Sequence, residues 1–209
     1  MRVDREVNME LDAFLHQQDL LLQRSKQSYE TMNIEQRSIF DLIFNSIGTG
    51  SCYFLDGKAG QGKTFLVNAI CNRIRGEGCI ACITGTTALS VTLYERGRTA
   101  HSMFGISVQE NSSDLVSKIS IFSGRAEVLQ WAALIVWEEF PMASKAAIEC
   151  VNSLLRQVMH VDLPFGNKTF LALGDFHQVA PVLRDVTAPA AVFDSSIRSS
   201  SLWKHFRIQ

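Results

Sequence analysis

The segment GKAGQGKT, residues 57–64, limits the fold of this 209-residue chain more than any other part of its sequence. It matches the pattern G-x-x-x-x-G-K-[ST], in which glycines let successive backbone N–H groups turn inward around a polyphosphate. A short apolar run at residues 51–55 precedes the segment, and a helical pattern from Thr64 to about Arg75 follows it. The N-terminus of such a helix adds positive potential. A strand, a phosphate-binding loop and a helix in this order predict an α/β nucleotide-binding fold.

The chemistry of this loop assigns roles to its residues. Lys63 is predicted to reach the β- and γ-phosphates of ATP, and the Thr64 hydroxyl is predicted to coordinate Mg²⁺. ATP and Mg²⁺ are therefore the predicted cofactors. A chance glycine-rich turn is the alternative, and the position between a strand and a helix argues against it. The predicted nucleotide-binding residues of the loop are Gly57, Lys58, Ala59, Gly60, Gln61, Gly62, Lys63 and Thr64.

Apolar runs of strand length alternate with helical patterns along the chain. Strands are predicted at residues 51–55, 79–84, 133–137 and 169–173, and helices at 33–47, 64–75, 86–95 and 144–159. Asn33 and Gln36 form the pattern of a capping box, which begins the first of these helices. Residues 107–124 are polar and rich in serine and are interpreted as a loop. This alternation predicts a mainly parallel sheet with helices on both faces, preceded by an N-terminal helical appendage at residues 1–30.

Two adjacent acids, Glu138 and Glu139, end the apolar run Leu134–Trp137. In a phosphate-loop ATPase, the first acid of such a pair holds Mg²⁺ through water, and the second polarises the attacking water as general base. Lys63 and Glu139 are therefore predicted catalytic residues, with Glu138 and Thr64 as metal ligands. A solvated acidic pair at a strand end is the alternative, and the apolar run downstream of a phosphate loop argues against it.

The predicted strand at residues 169–173 is followed by Gly174 and Asp175, and then by Gln178. In an α/β sheet, ligands bind at the carboxyl ends of the strands. Gln178 is therefore a candidate catalytic residue that senses the γ-phosphate. An ordinary turn after a core strand explains the same composition equally well.

Charge and composition indicate no particular partner. The formal net charge is −1, so the charge balance does not indicate DNA, although a local groove can carry positive charge. Five cysteines without two C-x-x-C pairs indicate reduced, buried thiols in an intracellular protein. No apolar run reaches the roughly 20 residues that span a bilayer, and the first residues lack the apolar stretch of a secretory signal. An intracellular location is expected, and a nuclear one in a eukaryote.

Six motifs occur in an order that resembles the Pif-type (petite integration frequency) DNA helicases of superfamily one, in the variant encoded by Helitron transposons. They are MNIEQ (32–36), residues 56–66, GRTAHSMF (97–104), residues 134–142, PFG (164–166) and GDFHQVAPV (174–182). Residues 195–206 are similar to the end of that family's first RecA-like domain. The resemblance therefore implies that residues 31–209 form the first RecA-like helicase ATPase domain, and that the second RecA-like domain is absent from the chain.

The resemblance implies an ATP-dependent 5′→3′ DNA helicase that acts on single-stranded DNA and duplex junctions, in DNA repair, recombination, telomere maintenance or Helitron transposition. It also implies that Gln36 reads the adenine. Residues implied to line the path of single-stranded DNA, through hydroxyls, backbone and aromatic stacking, are Thr86, Thr87, Arg98, His101 and Phe104. Without the resemblance, His101 and Phe104 are interpreted as half-buried packing residues.

The sequence departs from the family pattern at two positions. Glu138 stands where an aspartate is usual, and its extra methylene shifts the carboxylate by about one bond length at a site where Mg²⁺ demands near-ideal geometry. His177 stands where an arginine is usual. Glu138 and the missing second domain both favour an alternative interpretation, in which the chain is an inactive, transposon-derived fragment that only binds nucleotide. A phosphate-loop kinase of a small molecule is the other alternative, and it would need a lid with arginines.

Overall fold

The structure is a computed structural model, and it describes residues 3–58, 60–107, 115–176 and 196–209. Its strands are β1 (Cys52–Asp56), β2 (Ile80–Gly85), β3 (Arg98–Thr99), β4 (Ala132–Glu138), β5 (Phe170–Gly174) and β6 (Phe206–Ile208). Each strand pairs in parallel with its neighbours, in the order β3-β2-β4-β5-β1-β6. The predicted parallel sheet is thereby confirmed.

Helices cover both faces of the sheet, as predicted. They are α1 (Val3–Leu15), α2 (Gln18–Thr31), α3 (Ile34–Asn45), α4 (Lys63–Gly76), α5 (Ala88–Val91), α6 (Ala100–Phe104), α7 (Gly124–Trp131) and α8 (Lys145–Met159). One apolar cluster joins the sheet to α3 and α4, and a second joins it to α6, α7 and α8. Strand residues alternate between them, since Tyr53 and Leu55 belong to the first cluster and Phe54 to the second. None of the helices in the described ranges is long and apolar enough to cross a membrane.

Two helix starts follow the capping residues that the sequence predicts. The Asn33 side chain accepts a hydrogen bond from the N–H of Gln36 at 2.8 Å, and the Gln36 side chain accepts one from the N–H of Asn33 at 3.2 Å. Ser144 caps α8 by accepting a hydrogen bond from the N–H of Ala147 at 3.2 Å. Such caps pair backbone donors that a helix start leaves without partners, so α3 and α8 begin at their predicted places.

The predicted helix at residues 86–95 is wrong over most of its length, because only α5 forms there. After α5, the N–H of Tyr94 donates to the Val91 carbonyl, and the N–H of Gly97 donates to the Tyr94 carbonyl. Arg96 between them has a φ of 59°. Two successive turns and a left-handed residue therefore replace the helical hydrogen bonds, and they bring Tyr94 into the apolar cluster under α3 and α4.

The N-terminal helices pack onto the rest of the domain. Leu21 of α2 is 1 % exposed, and the Ser25 hydroxyl donates to the Ala69 carbonyl of α4 at 2.8 Å. On α1, the Phe14 ring lies against the Arg75 guanidinium, with 4.4 Å between the ring centroid and Cζ. Apolar burial and a buried hydrogen bond therefore join residues before position 31 to α4.

Leu21→Ala is expected to lower the free energy of unfolding by about 2–5 kcal/mol, because the truncated side chain leaves a cavity on the buried face of α2. Leu20→Ala is the matched control, since the neighbouring Leu20 is 42 % exposed. We expect the control to change the free energy of unfolding by about 0.5 kcal/mol or less. Chemical denaturation of the purified chain measures both variants. Equal effects would show that α2 does not contribute to the core.

Candidate nucleotide-binding site

The C-terminal ends of β4 and β5 and the N-terminus of α4 surround a cleft of about 500 Å³. β5 pairs with β4 on one side and with β1, which leads into the phosphate loop, on the other. The N–H of Gly57 donates to the Gly174 carbonyl at 3.2 Å and joins that loop to the end of β5. The strand order thus brings distant segments together. The cleft is lined by Gly60, Gly62, Lys63, Thr64, Phe65, Glu138, Glu139, Pro141, Met142, Gly174 and Asp175.

Backbone geometry shapes the phosphate loop. Gly60 and Gly62 have φ values of 85° and 83°, in the left-handed region that residues with a side chain disfavour. The N–H of Gln61 between them donates to the Lys58 carbonyl at 3.4 Å and closes a turn. Gly62 directly precedes α4, so the loop delivers the chain to the helix N-terminus. This is the tight turn that the glycine pattern predicts.

Lys63 lies at the first position of α4, and its ammonium donates to the carbonyls of Gly57 and Lys58. The ammonium is therefore held across the loop, beside a helix N-terminus whose free N–H groups and dipole favour an anion. Thr64 follows on the same turn, and both side chains line the cleft. The loop is thus suited to bind a polyphosphate.

Gln36 lies against the phosphate loop. A Cβ built on Gly62 would come within 2.8 Å of the Gln36 Nε2, so a glycine at this position leaves room for the amide. The Gln36 Oε1 accepts the capping hydrogen bond from the N–H of Asn33. The structure therefore places the Gln36 amide beside Gly62 of the phosphate loop, and its contact with the adenine stays a prediction.

The two acids at the end of β4 lie in different environments. Glu138 is 8 % exposed, and this burial raises the pKa of its carboxyl above the usual value. The hydrogen bond from the Tyr94 hydroxyl and the charge of the Lys63 ammonium lower the pKa, but by less than burial raises it. Glu139 has a φ of 54°, and its Oε2 accepts a hydrogen bond from the Thr87 hydroxyl at 2.7 Å. Successive side chains of an extended strand face opposite sides. The left-handed turn at Glu139 lets both neighbouring carboxylates line one cleft.

Oxygen atoms suited to Mg²⁺ meet in this cleft. Thr64 supplies a hydroxyl, Glu138 a carboxylate, and Asp175, which is 9 % exposed, a second carboxylate. Mg²⁺ prefers such ligands together with water and substrate phosphate oxygens. In the described part of the chain, no three His, Cys, Asp or Glu side chains are grouped for a metal, so Mg²⁺ would take its other ligands from phosphate and water. No role was predicted for Asp175 from the sequence, although its position directly after a core strand was a signal for one.

The family of the chain follows from its sequence. The profile of the PIF1-like helicases matches residues 31–209. The chain belongs to the PIF1-like helicase family. The predicted resemblance is thereby confirmed, and the match begins where α2 ends.

Longer proteins contain a segment that is similar in sequence to this chain. The ATP-dependent DNA helicase Pif1 of Psychrobacter is 32 % identical over 138 residues, which cover 64 % of this chain and 20 % of that protein. The ATP-dependent DNA helicase PIF1 of Trypanosoma brucei is 30 % identical over 152 residues, which cover 72 % of this chain and 15 % of that protein. This PIF1-like chain therefore spans a fifth or less of the length of these two relatives.

Solved structures share the fold. The Pif1 helicase from Candida albicans superposes with a TM-score of 0.68 at 22 % identity, over 85 % of this chain and 39 % of that chain. The Bacteroides Pif1 helicase in complex with ADP-AlF3 and single-stranded DNA superposes with a TM-score of 0.66 at 24 % identity, over 85 % and 41 %. These likenesses confirm the predicted RecA-like α/β fold.

Two predicted DNA-path residues of this PIF1-like domain contact the predicted general base. The Thr86 hydroxyl donates to the Glu139 carbonyl at 2.8 Å and accepts a hydrogen bond from the Trp137 indole at 3.1 Å. The Thr87 hydroxyl donates to the Glu139 carboxylate. These contacts between the two threonines and Glu139 were not predicted, and they arise because β2 and β4 are neighbours in the sheet. DNA contact by the two threonines stays a prediction.

The other three predicted DNA-path residues are placed differently. The Arg98 guanidinium forms an ion pair with Glu10 of α1 at 3.1 Å, and His101 is half-buried on α6. Phe104 has no exposed surface, and its ring stacks on Trp137 with 5.6 Å between the centroids. The ring therefore has no surface free for a base in this structure, and DNA contact by Phe104 stays a prediction. Phe104 packs in the core, as its sequence surroundings alone indicated.

Some predicted residues lie outside the described residues. They are Ala59 of the phosphate loop, Gln178 as the γ-phosphate sensor, and His177. Their roles stay predictions. Tyr94, which was not predicted as a site residue, donates a hydrogen bond to Glu138. No sequence signal marks it, because the two residues are 44 positions apart.

Proposed function

We propose that this chain is the ATP-binding first motor domain of a 5′→3′ DNA helicase that hydrolyses ATP with Mg²⁺. One observation supports this proposal most. The phosphate loop, the buried Glu138 and the left-handed Glu139 line a single cleft at the C-terminal edge of a parallel sheet, where α/β proteins bind their ligands. Membership of the PIF1-like family supports the reaction class, and the 5′→3′ direction rests on the family resemblance alone.

The residues of the cleft divide the work of ATP hydrolysis. Lys63 and the N–H groups of the loop bind the β- and γ-phosphates. Thr64 and Glu138 would hold Mg²⁺, and the bound ion would supply positive charge to the phosphates. Glu139 accepts a proton from the attacking water as general base. The Thr87 hydroxyl, by donating to one oxygen of Glu139, orients that carboxylate.

Single-stranded DNA and duplex junctions are the proposed partners, and a DNA substrate implies an intracellular location. The solved Bacteroides Pif1 complex contains single-stranded DNA. In this chain, Thr86 and Thr87 both hydrogen-bond Glu139. A strand that contacts these hydroxyls would therefore act directly on the general base. This geometry supports ATP hydrolysis that depends on bound DNA.

A second candidate function is a nucleotide-binding fragment without turnover. Glu138 favours this alternative, because its longer side chain must still satisfy the strict geometry of Mg²⁺. An ATPase assay with and without single-stranded DNA separates the two functions, on a version of the protein that carries a second RecA-like domain. Hydrolysis stimulated by DNA supports the motor, whereas nucleotide binding without hydrolysis supports the fragment.

The 209-residue chain, purified by itself, is expected to bind ATP and single-stranded DNA weakly and to unwind no duplex. Superfamily-one motors step by closing a cleft between two RecA-like domains, and the second domain supplies an arginine. In related ATPases and GTPases such an arginine contributes about 10³–10⁵ in rate. Strand displacement on a 5′-tailed duplex measures the outcome, and DNA affinity should fall steeply with salt.

The matched control is a longer version with a second RecA-like domain, which should unwind the same duplex. ATP-dependent unwinding by the 209-residue chain alone would overturn the two-domain explanation. Failure of the longer version would favour the nucleotide-binding fragment.

A further inference from the structure

The Tyr94 hydroxyl reaches the predicted metal-binding acid from the core side of the cleft. Tyr94 is 5 % exposed and belongs to the apolar cluster under α3 and α4. It is not among the residues that line the cleft, whereas Glu138 is. The hydroxyl therefore supports the Glu138 carboxylate from behind and leaves the open side of the cleft to the nucleotide.

The position of Tyr94 is fixed by its own backbone. Its N–H donates to the Val91 carbonyl at 3.2 Å, and its carbonyl accepts a hydrogen bond from the N–H of Gly97 at 3.1 Å. The ring is packed among apolar side chains of the first cluster. A hydroxyl at the end of a buried ring held at both backbone groups has a defined position, which is what an effective hydrogen-bond donor requires.

The same hydroxyl contacts a predicted Mg²⁺ ligand directly. It donates to Oε1 of Glu138. A phenol carries one O–H donor, so the hydrogen bond to Glu138 uses the only donor of the Tyr94 side chain. Glutamate has one more rotatable bond than aspartate, and a buried partner limits the rotamers that this bond allows.

We propose that Tyr94 is a positioning residue that orients the Glu138 carboxylate toward the metal of the nucleotide. This inference rests on the proposed binding of ATP with Mg²⁺. It explains how a glutamate can occupy the position where the family usually has an aspartate. Hydrogen-bond partners of metal ligands set the orientation of those ligands, and their loss costs about 10–100-fold in metal affinity.

Tyr94→Phe tests the inference, because it removes the hydroxyl and keeps the buried ring. The readout is the affinity for a fluorescent ATP analogue, titrated with Mg²⁺ and repeated in EDTA. We expect the Mg²⁺ concentration for half-maximal enhancement of binding to rise about tenfold, with unchanged affinity in EDTA. Tyr29→Phe is the matched control. Its hydroxyl donates to Asp41 at an exposed position, and the Mg²⁺ titration should stay as in the parent.

A second substitution distinguishes positioning from a general loss of packing. Glu138→Asp withdraws the carboxylate from Tyr94, so adding Tyr94→Phe to it should change the Mg²⁺ titration no further. Equal effects of Tyr94→Phe in both backgrounds would overturn the inference, as would an unchanged titration in the single variant while the parent binds nucleotide normally. Absence of nucleotide binding in the parent, with Mg²⁺ and in EDTA, would instead overturn the proposed function and the inference with it.

Discussion

Lys63→Ala is expected to weaken ATP binding about 100-fold or more, because the β- and γ-phosphates lose the side-chain cation that the fold places at the start of α4. Hydrogen bonds to charged groups contribute about 1.5–3 kcal/mol each, and an ammonium that contacts two phosphates makes at least two of them. The loop itself should persist, since its turn depends on glycine conformations and on the hydrogen bond from the Gln61 N–H to the Lys58 carbonyl.

Fluorescence titration with an ATP analogue measures this effect. Lys26→Ala is the matched control, because it removes the same charge from an exposed position on α2. The control should bind with the affinity of the parent, and thermal melting should show that both variants are folded. Equal affinities of Lys63→Ala and the parent would refute the assignment of the phosphate loop.

Glu139→Gln is expected to reduce ATP hydrolysis by about 10²–10⁴-fold while ATP stays bound, because an amide cannot accept the proton of the attacking water. The structure supports the choice of glutamine. The carbonyl oxygen of a glutamine can still accept the hydrogen bond from the Thr87 hydroxyl. The glutamine side chain has the same length as that of glutamate, and the left-handed backbone at position 139 is no less favourable for it. The substitution should therefore remove the general base and leave the shape of the cleft unchanged.

Phosphate release under single-turnover conditions, with single-stranded DNA present, measures this loss in a version that carries a second RecA-like domain. Glu77→Gln is the control, since Glu77 pairs with Arg73 at the far end of α4. It should hydrolyse ATP at the parental rate. A Glu139→Gln variant that does the same would assign the general base to another residue, and tight nucleotide binding without turnover would confirm Glu139 in that role.

The sequence predicted most of what depends on neighbouring residues. The phosphate loop is eight consecutive residues, so its chemistry could be inferred before any fold was known. The caps at Asn33 and Ser144 act over three positions, and both helices begin where predicted. Strand ends carry the acids, so the alternation of strands and helices also predicted that Glu138 and Glu139 would meet the loop at one edge of the sheet.

Tertiary structure alone decided the environment of these residues. Tyr94 reaches Glu138 because the helix predicted at 86–95 ends early and its remainder turns into the core. Arg98 pairs with Glu10, which lies 88 positions earlier in the chain on α1, and Phe104 is enclosed by the core. Spacing along the chain cannot predict such contacts, because they depend on which strands are neighbours and on which side chains fill the space between layers. The sequence by itself therefore determined the chemistry of the nucleotide site, and packing decided which residues support it.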